Sequence, residues 1–98
     1  MLFIVRFTDR PDTADIRALH LPAHLDWLDA HAATVLVAGS LRPDADAPPV
    51  GGLWIVEAES REAVDVLIGT DPFWVHGLRA GVEVLLWSKA RPDRQALV

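Results

Sequence analysis

Short apolar runs and longer helical patterns alternate along this chain. Four runs, at 2–8, 34–41, 53–57 and 82–87, are rich in β-branched and aromatic residues and end at Pro, Gly or charged residues. Such runs are typical of strands. The segments after the first and third runs repeat apolar positions every three or four residues, which is the spacing of a helix with one buried face. The pattern predicts the element order βαββαβ.

The first helix is expected to begin after the turn at 9–12, with Asp12 or Thr13 as its N-cap. Pro22 lies inside the pattern. Because proline lacks an N–H and clashes with the preceding turn, we expect the helix to kink or restart there. The predicted buried stripe comprises Ile16 and Leu19 before the proline and Leu21, Leu25, Leu28 and Ala32 after it, with His24, Trp27 and His31 flanking it.

The second helix is expected to begin at the N-cap Ser60 and to stop at Gly69. Gly51 and Gly52, before the third run, favour a bulge or a tight turn. Two βαβ-like halves predict an α+β fold, a ferredoxin-like sandwich in which both helices cover one face of a four-stranded antiparallel sheet. We expect one domain over 1–90 and a C-terminal tail over 91–98.

The predicted sheet is apolar on both faces. In the first strand Phe3, Val5 and Phe7 point to one side, but Leu2 and Ile4 on the other side are also apolar. The chain has no third layer to cover the second face. This pattern predicts a homodimer in which the two sheets pack face to face.

Composition sets the broad class of the protein. With 98 residues, 51% of them hydrophobic, the chain is long enough for one core. No apolar stretch approaches the roughly 20 residues of a membrane span, and Met1 leads directly into a strand pattern without a cationic leader. We therefore expect a soluble cytoplasmic protein that does not engage a membrane.

Charge and cysteine content exclude several functions. The chain contains no cysteine, so it has no disulfide, no thiol nucleophile and no thiolate metal site. Its net charge of -5 is spread without a basic run, which argues against nucleic acid as a partner. A small-molecule ligand fits this composition better.

His24 and Asp71 are the main candidates for chemistry. Each lies beside a proline at the edge of a helical pattern. An imidazole titrates near neutral pH, and a carboxylate beside it fixes its tautomer and stabilises its cation, which suits acid–base catalysis. The structural alternatives are that Asp71 is a cap or turn residue before Pro72 and that His24 is a helix histidine bonded to a backbone carbonyl.

Other motifs point less clearly to a site. His20 and His24 have the i, i+4 spacing of two metal ligands, with Asp71 or His76 as further donors, but Pro22 interrupts that helix face. There is no glycine-rich phosphate loop and no nucleophile elbow around Ser40, which remains a hydrogen-bond donor.

Several segments, taken together, resemble the YCII-related (YciI-like) family. The most specific are the His-Leu-x-x-Leu helix that begins at His24, the Ala-Gly-Ser strand end at 38–40 and the Asp-Pro-aromatic triplet at 71–73. The similarity extends over nearly the whole chain through the segments 2–5, 22–28, 38–41, 52–58, 60–63 and 71–73.

The resemblance implies a dimeric α+β barrel similar to muconolactone isomerases, with the family's proposed site residues at His24 and Asp71. It also implies dehydrochlorinase or lyase-like activity on small cyclic compounds. Members often carry an Arg three residues before the His, whereas this chain has Leu21 there and Arg17 and His20 one turn earlier.

The sequence therefore favours an enzyme that needs no metal or other cofactor and performs an elimination or isomerisation. His24 would act as the general base or acid and Asp71 would orient it, while Ser40, Arg17, His20 and Phe73 would bind substrate. Two alternatives remain open at this point. One is a non-catalytic dimeric module that binds a small molecule or regulates a partner, and the other is a metal-dependent enzyme that uses His20 and His24.

Overall fold

A computed structural model describes residues 1–96 and residue 98. The described residues form four strands and three helices. The elements are β1 (Leu2–Asp9), α1 (Ala14–Ala30), β2 (Val35–Leu41), β3 (Gly51–Glu57), α2 (Arg61–Ile68), α3 (Pro72–Val75) and β4 (Arg79–Trp87).

The strands form one antiparallel sheet in the order β2-β3-β1-β4. The helices cover one face of it, so the predicted ferredoxin-like α+β architecture is confirmed. Strand β1 is central, and its Val5 lies between Trp54 of β3 and Val84 of β4. On the helix side, β1 and β3 contribute alternate residues to the core. The core combines these with residues of β2 and both long helices and comprises Phe3, Val5, Phe7, Trp27, Val35, Trp54, Val56, Val64 and Ile68.

Helix α1 differs from its prediction in two ways. It runs without a restart from Ala14 to Ala30 with Pro22 inside it. Proline removes a single backbone hydrogen bond, and the packed residues on either side keep the rest of the helix in place. The predicted buried stripe is also wrong in phase: the helix buries His24 and Trp27, whereas Leu19, Leu21 and Leu25 are exposed.

The N-cap of α2 is as expected, because the Ser60 side chain accepts a hydrogen bond from the Ala63 N–H at 3.1 Å. Gly51 and Gly52, predicted as a bulge or tight turn at a strand entry, are the first two residues of β3. A side chain at Gly51 would run into the carbonyl oxygen of Phe7 on the neighbouring strand. Glycine here therefore allows the two backbones to pair closely.

The second face of the sheet carries no helix and is largely apolar. Ile4 lies in register between Ile55 of β3 and Leu85 of β4, so the three form an apolar row across the sheet. Leu85 is 46% exposed. We call this surface, with Trp87 at its edge, the open face.

The last strand ends at Trp87. Of the predicted tail 91–98, residue 97 lies outside the described residues. Within the described part of the chain, no helix is long and apolar enough to cross a membrane.

Candidate active site

The structure brings His24 and Asp71 into direct contact. His24 Nδ1 lies 2.6 Å from Asp71 Oδ1, and both residues are buried. A carboxylate only accepts hydrogen bonds, so the imidazole donates from Nδ1. This leaves Nε2 as the unprotonated nitrogen of the neutral ring, which is the nitrogen that can take a proton.

Asp71 is held by the start of α3. As the N-cap of that helix, its Oδ1 also accepts a hydrogen bond from the Phe73 N–H at 3.2 Å. Pro72 follows at the first helical position, where its fixed backbone angle favours the helix. The cap and the histidine contact occur together, so the two interpretations of Asp71 are compatible.

Aromatic side chains fix the plane of the imidazole. The His24 ring stacks on Phe73 with centroids 4.1 Å apart and on Trp27 at 6.3 Å. Trp27 Nε1 in turn donates to Thr70 Oγ1 at 3.0 Å, which ties α1 to the segment before Asp71. Three contacts therefore hold the histidine and the aspartate in one geometry.

A cavity of about 240 Å³ lies beside this pair, between α1 and the part of the sheet formed by β2 and β3. An apolar cavity of about 150 Å³ can hold benzene, so this volume suits one substituted ring. The walls combine apolar side chains with a few polar groups, as ligand sites do. They include His24, Leu25, Ser40, Trp54, Phe73 and Arg79.

A chain of charges forms one end of the cavity. Arg79 Nη1 donates a hydrogen bond to Asp9 Oδ1 at 2.6 Å, and Arg17 donates one to Asp9 Oδ2. Both arginines line the cavity. Burial lowers the pKa of Arg79, and the hydrogen bond and charge of Asp9 oppose that shift. Because a guanidinium ordinarily stays charged in proteins, the cavity contains a buried cation.

The other predicted site residues divide into two groups. Arg17, Ser40 and Phe73 line the cavity, and Ser40 Oγ accepts a hydrogen bond from Arg42 at 3.2 Å. His20 does not line it; its ring stacks on His76 with centroids 3.7 Å apart. The part of the chain that the structure describes holds no cluster of three or more His, Cys, Asp or Glu side chains arranged for a metal ion.

Sequence reasoning missed Asp9 and Arg79. The sequence pattern predicts Asp9 as part of a turn, and Arg79 precedes the apolar run of the fourth strand. The two are direct partners in the β1–β4 register. Only the alignment of these antiparallel strands could have paired them.

Comparison with known proteins gives two kinds of match. The family model of YCII-related domains matches residues 1–88. The 5-chloro-2-hydroxyhydroquinone dehydrochlorinase TftG from Burkholderia phenoliruptrix, solved with 2,5-dihydroxybenzoquinone, is 32% identical with a TM-score of 0.82. That similarity covers 90% of this chain and 94% of TftG. No protein with a curated description matches the chain.

More distant structures share the fold alone. A Bacteriodes thetaiotaomicron protein assigned to the antibiotic biosynthesis monooxygenases is 16% identical with a TM-score of 0.58, covering 99% of this chain and 95% of its own. Another antibiotic biosynthesis monooxygenase is 19% identical with a TM-score of 0.54, covering 93% of this chain and 100% of its own.

Proposed function

Because this chain belongs to the family of YCII-related domains, we propose that it is a lyase that uses His24 and Asp71 to move a proton in an elimination on a small ring compound. The observation that carries the proposal is the 2.6 Å contact between His24 Nδ1 and Asp71 Oδ1 at the wall of a ring-sized cavity. The dehydrochlorinase TftG, with 32% identity, provides the precedent for the reaction class.

The proposed step needs no oxidant or reductant. His24 Nε2 takes a proton from a ring hydroxyl, the oxygen becomes a ketone, and a proton is added to the ring carbon that carries chlorine. Loss of a second hydroxyl proton then forms a new π bond as chloride leaves with the electron pair of the carbon–chlorine bond, so the net loss is HCl. Asp71 keeps the imidazole in the right tautomer and stabilises its cation after the proton is taken.

Ser40 is suited to assist at an oxygen of the ring. A hydroxyl carries one donor and two acceptor positions, and Arg42 uses one of the acceptor positions. The hydroxyl proton is therefore available for an oxygen that becomes negative as the substrate loses its proton.

The first ligands to test follow from the relative. TftG was solved with 2,5-dihydroxybenzoquinone, a single six-membered ring, and acts on 5-chloro-2-hydroxyhydroquinone. We propose that the cavity of this chain accepts the same class of compound, because its volume of about 240 Å³ fits one such ring.

The experiment measures chloride release from 5-chloro-2-hydroxyhydroquinone by the wild-type protein and by His24→Asn. General acid–base catalysis contributes about 10²- to 10⁴-fold, so the variant should lose about that much in kcat with its fold intact. His76→Asn, an exposed histidine outside the cavity, is the matched control and should keep its rate. Equal rates for wild type and His24→Asn would falsify the role of the dyad.

A second candidate function is a non-catalytic module that binds a small molecule. The capping bond from the Phe73 N–H to Asp71 favours it, because this bond gives the carboxylate a structural role without any reaction. In that case wild-type protein binds 2,5-dihydroxybenzoquinone but releases no chloride, and His24→Asn only lowers the melting temperature.

We also propose that two copies pair through the open face. The apolar row of Ile55, Ile4 and Leu85 crosses three strands without a covering layer. A contiguous apolar surface of this kind marks an interaction site. A second copy presents the same surface, so each can cover the other about a two-fold axis.

A further inference from the structure

Arg79 is a buried cation whose guanidinium lies close to two aromatic rings. It is the first residue of β4, and its side chain is 3% exposed. Its guanidinium carbon lies 4.5 Å from the ring centroid of Phe7 and 5.3 Å from that of Phe73. Aromatic rings attract a cation, but they do not replace the oxygen acceptors that its N–H groups need.

The sheet leaves space for this guanidinium at Gly52. A Cβ atom at that position would lie 3.1 Å from Arg79 Nη2 and 3.3 Å from Nη1, which is closer than ordinary packing. Any larger residue at 52 would therefore press on the guanidinium. The lack of a side chain at Gly52 is what allows the Arg79 guanidinium to lie this close to β3.

Most of the donors on Arg79 have no acceptor among the described residues. A guanidinium has five N–H donors, and the recorded acceptor is Asp9 Oδ1, which takes one from Nη1. Nε is fully buried and unpartnered. Buried donors without partners are costly, and Arg79 lines the cavity, so a ligand there can supply the missing acceptor.

The charges around the cavity fit an anionic ligand. Three arginines, Arg17, Arg42 and Arg79, line the cavity, and the carboxylates that pair with this side of the molecule are Asp9 and Asp71. Asp9 is shared by two cations and cannot fully neutralise either. The set is positive by one charge when His24 is neutral, and a negative oxygen on the ligand restores neutrality.

We propose that Arg79 binds the ring oxygen that becomes negative as the substrate loses its proton, and that the cavity therefore binds ring compounds with an ionised oxygen more tightly than neutral ones. The inference rests on the proposed function, in which a ring compound lies against His24. It adds the charge state that the cavity prefers and the residue that recognises it.

Two ligands of similar size test this selection. The hydroxyls of 2,5-dihydroxybenzoquinone are vinylogous acids and are ionised at neutral pH, whereas those of hydroquinone are phenols, which ionise at about pH 10. Isothermal titration calorimetry at pH 7 gives the Kd of each. Wild-type protein should bind the anion about 10- to 100-fold more tightly.

Variants then assign the preference to Arg79. Arg79→Met should weaken binding of the anion by about 10- to 100-fold and change hydroquinone binding by less than about 3-fold. Gly52→Ala, which keeps the charge but displaces the guanidinium, should weaken binding of the anion by less than Arg79→Met does and should leave hydroquinone binding unchanged. Arg61→Met, at the start of α2 and outside the cavity, is the control and should leave both affinities unchanged.

The outcomes separate this inference from the proposed function. The anion site is contradicted if wild-type protein binds both ligands equally. It is also contradicted if Arg79→Met weakens the binding of both ligands equally or of neither. If Arg79→Met does not fold, Gly52→Ala decides, because weaker binding of the anion alone supports the site, whereas an equal loss for both ligands or for neither contradicts it. His24→Asn should keep the preference for the anion while it loses chloride release, so a failure of catalysis leaves the binding result intact.

Discussion

At the residue scale, Asp71 links the fold to the candidate chemistry. It is fully buried, and its Oδ1 accepts hydrogen bonds from His24 and from the start of α3. Its Oδ2 is buried without a partner among the described residues. A carboxylate in this position is costly unless its bonds are made, so its replacement should affect stability and activity differently according to what the new side chain can accept.

We predict that Asp71→Ala and Asp71→Asn separate these two effects. The Ala variant leaves the Phe73 N–H and the histidine unpaired, which costs about 1 to 3 kcal/mol and lowers the Tm by about 5 to 15 °C. The Asn variant fills the same space and keeps a hydrogen bond to the His24 ring, so its Tm should fall less. Calorimetry gives both values, and an Asp71→Ala variant with the Tm of the wild type would contradict a structural role for the carboxylate.

The same pair of variants tests the tautomer of His24. An amide that donates to Nδ1 reverses the hydrogen bond and moves the ring proton to Nε2, where it blocks the base. We expect Asp71→Asn to lose about 10²- to 10⁴-fold in kcat while it remains folded. Long-range ¹H–¹⁵N spectra report which nitrogen carries the proton. Protonation of Nδ1 in both proteins would oppose this explanation.

At the element scale, helix α1 continues through Pro22 although proline destabilises the interior of a helix. The sequence predicts a kink or a restart because proline cannot make the bond to the preceding turn, and the helix does not restart but continues to Ala30. His24 and Trp27, buried on the far side of the proline, pack on α3 and the sheet. Tertiary contacts therefore overcome a local preference here.

Pro22→Ala should raise the stability of the protein. It restores one backbone hydrogen bond and removes a clash, and the penalty for an internal proline is about 3 kcal/mol, so we expect a gain of about 1 to 3 kcal/mol in the free energy of unfolding by urea titration. Leu19→Ala, at an exposed position of the same helix, should stay within about 0.5 kcal/mol. A loss of stability in Pro22→Ala would mean that the proline sets a bend that the packing of His24 requires.

At the scale of the whole molecule, the two faces of the sheet differ in whether helices cover them. The helix side is covered by α1 and α2 and forms the core. The open face carries apolar residues in the same alternation, but no element of the described chain covers it. An unpaired apolar sheet face favours self-association over exposure to water.

We predict a homodimer in solution with twice the 10.8 kDa mass of the chain. Leu85→Asp places a charge in the centre of the proposed interface, where burial of a carboxylate is costly, and should yield monomers. Val66→Asp, at an exposed apolar position on α2, should stay dimeric. Light scattering after size exclusion measures both masses. A monomeric wild type, or a dimeric Leu85→Asp, would place any association elsewhere.

Local signals in the sequence were sufficient for most of the elements. The Ser60 cap and the β-branched runs act over a few residues, so their physics can be read from the chain alone. The limits of β3 and the phase of α1 were predicted less well. Pairing with β1 extends β3 through Gly51, and the cavity leaves Leu21 and Leu25 without the cover that their apolar character suggested.

The sequence by itself determined the order of elements, the apolar character of both sheet faces and the two residue types suited to proton transfer. Those features depend on periodicity and side-chain chemistry, which are local. Only the tertiary structure decided that His24 contacts Asp71, while His20 stacks on His76. It also decided that Arg79 on β4 pairs with Asp9 on β1. These contacts join residues far apart in the chain, and strand register and helix packing fix their distances.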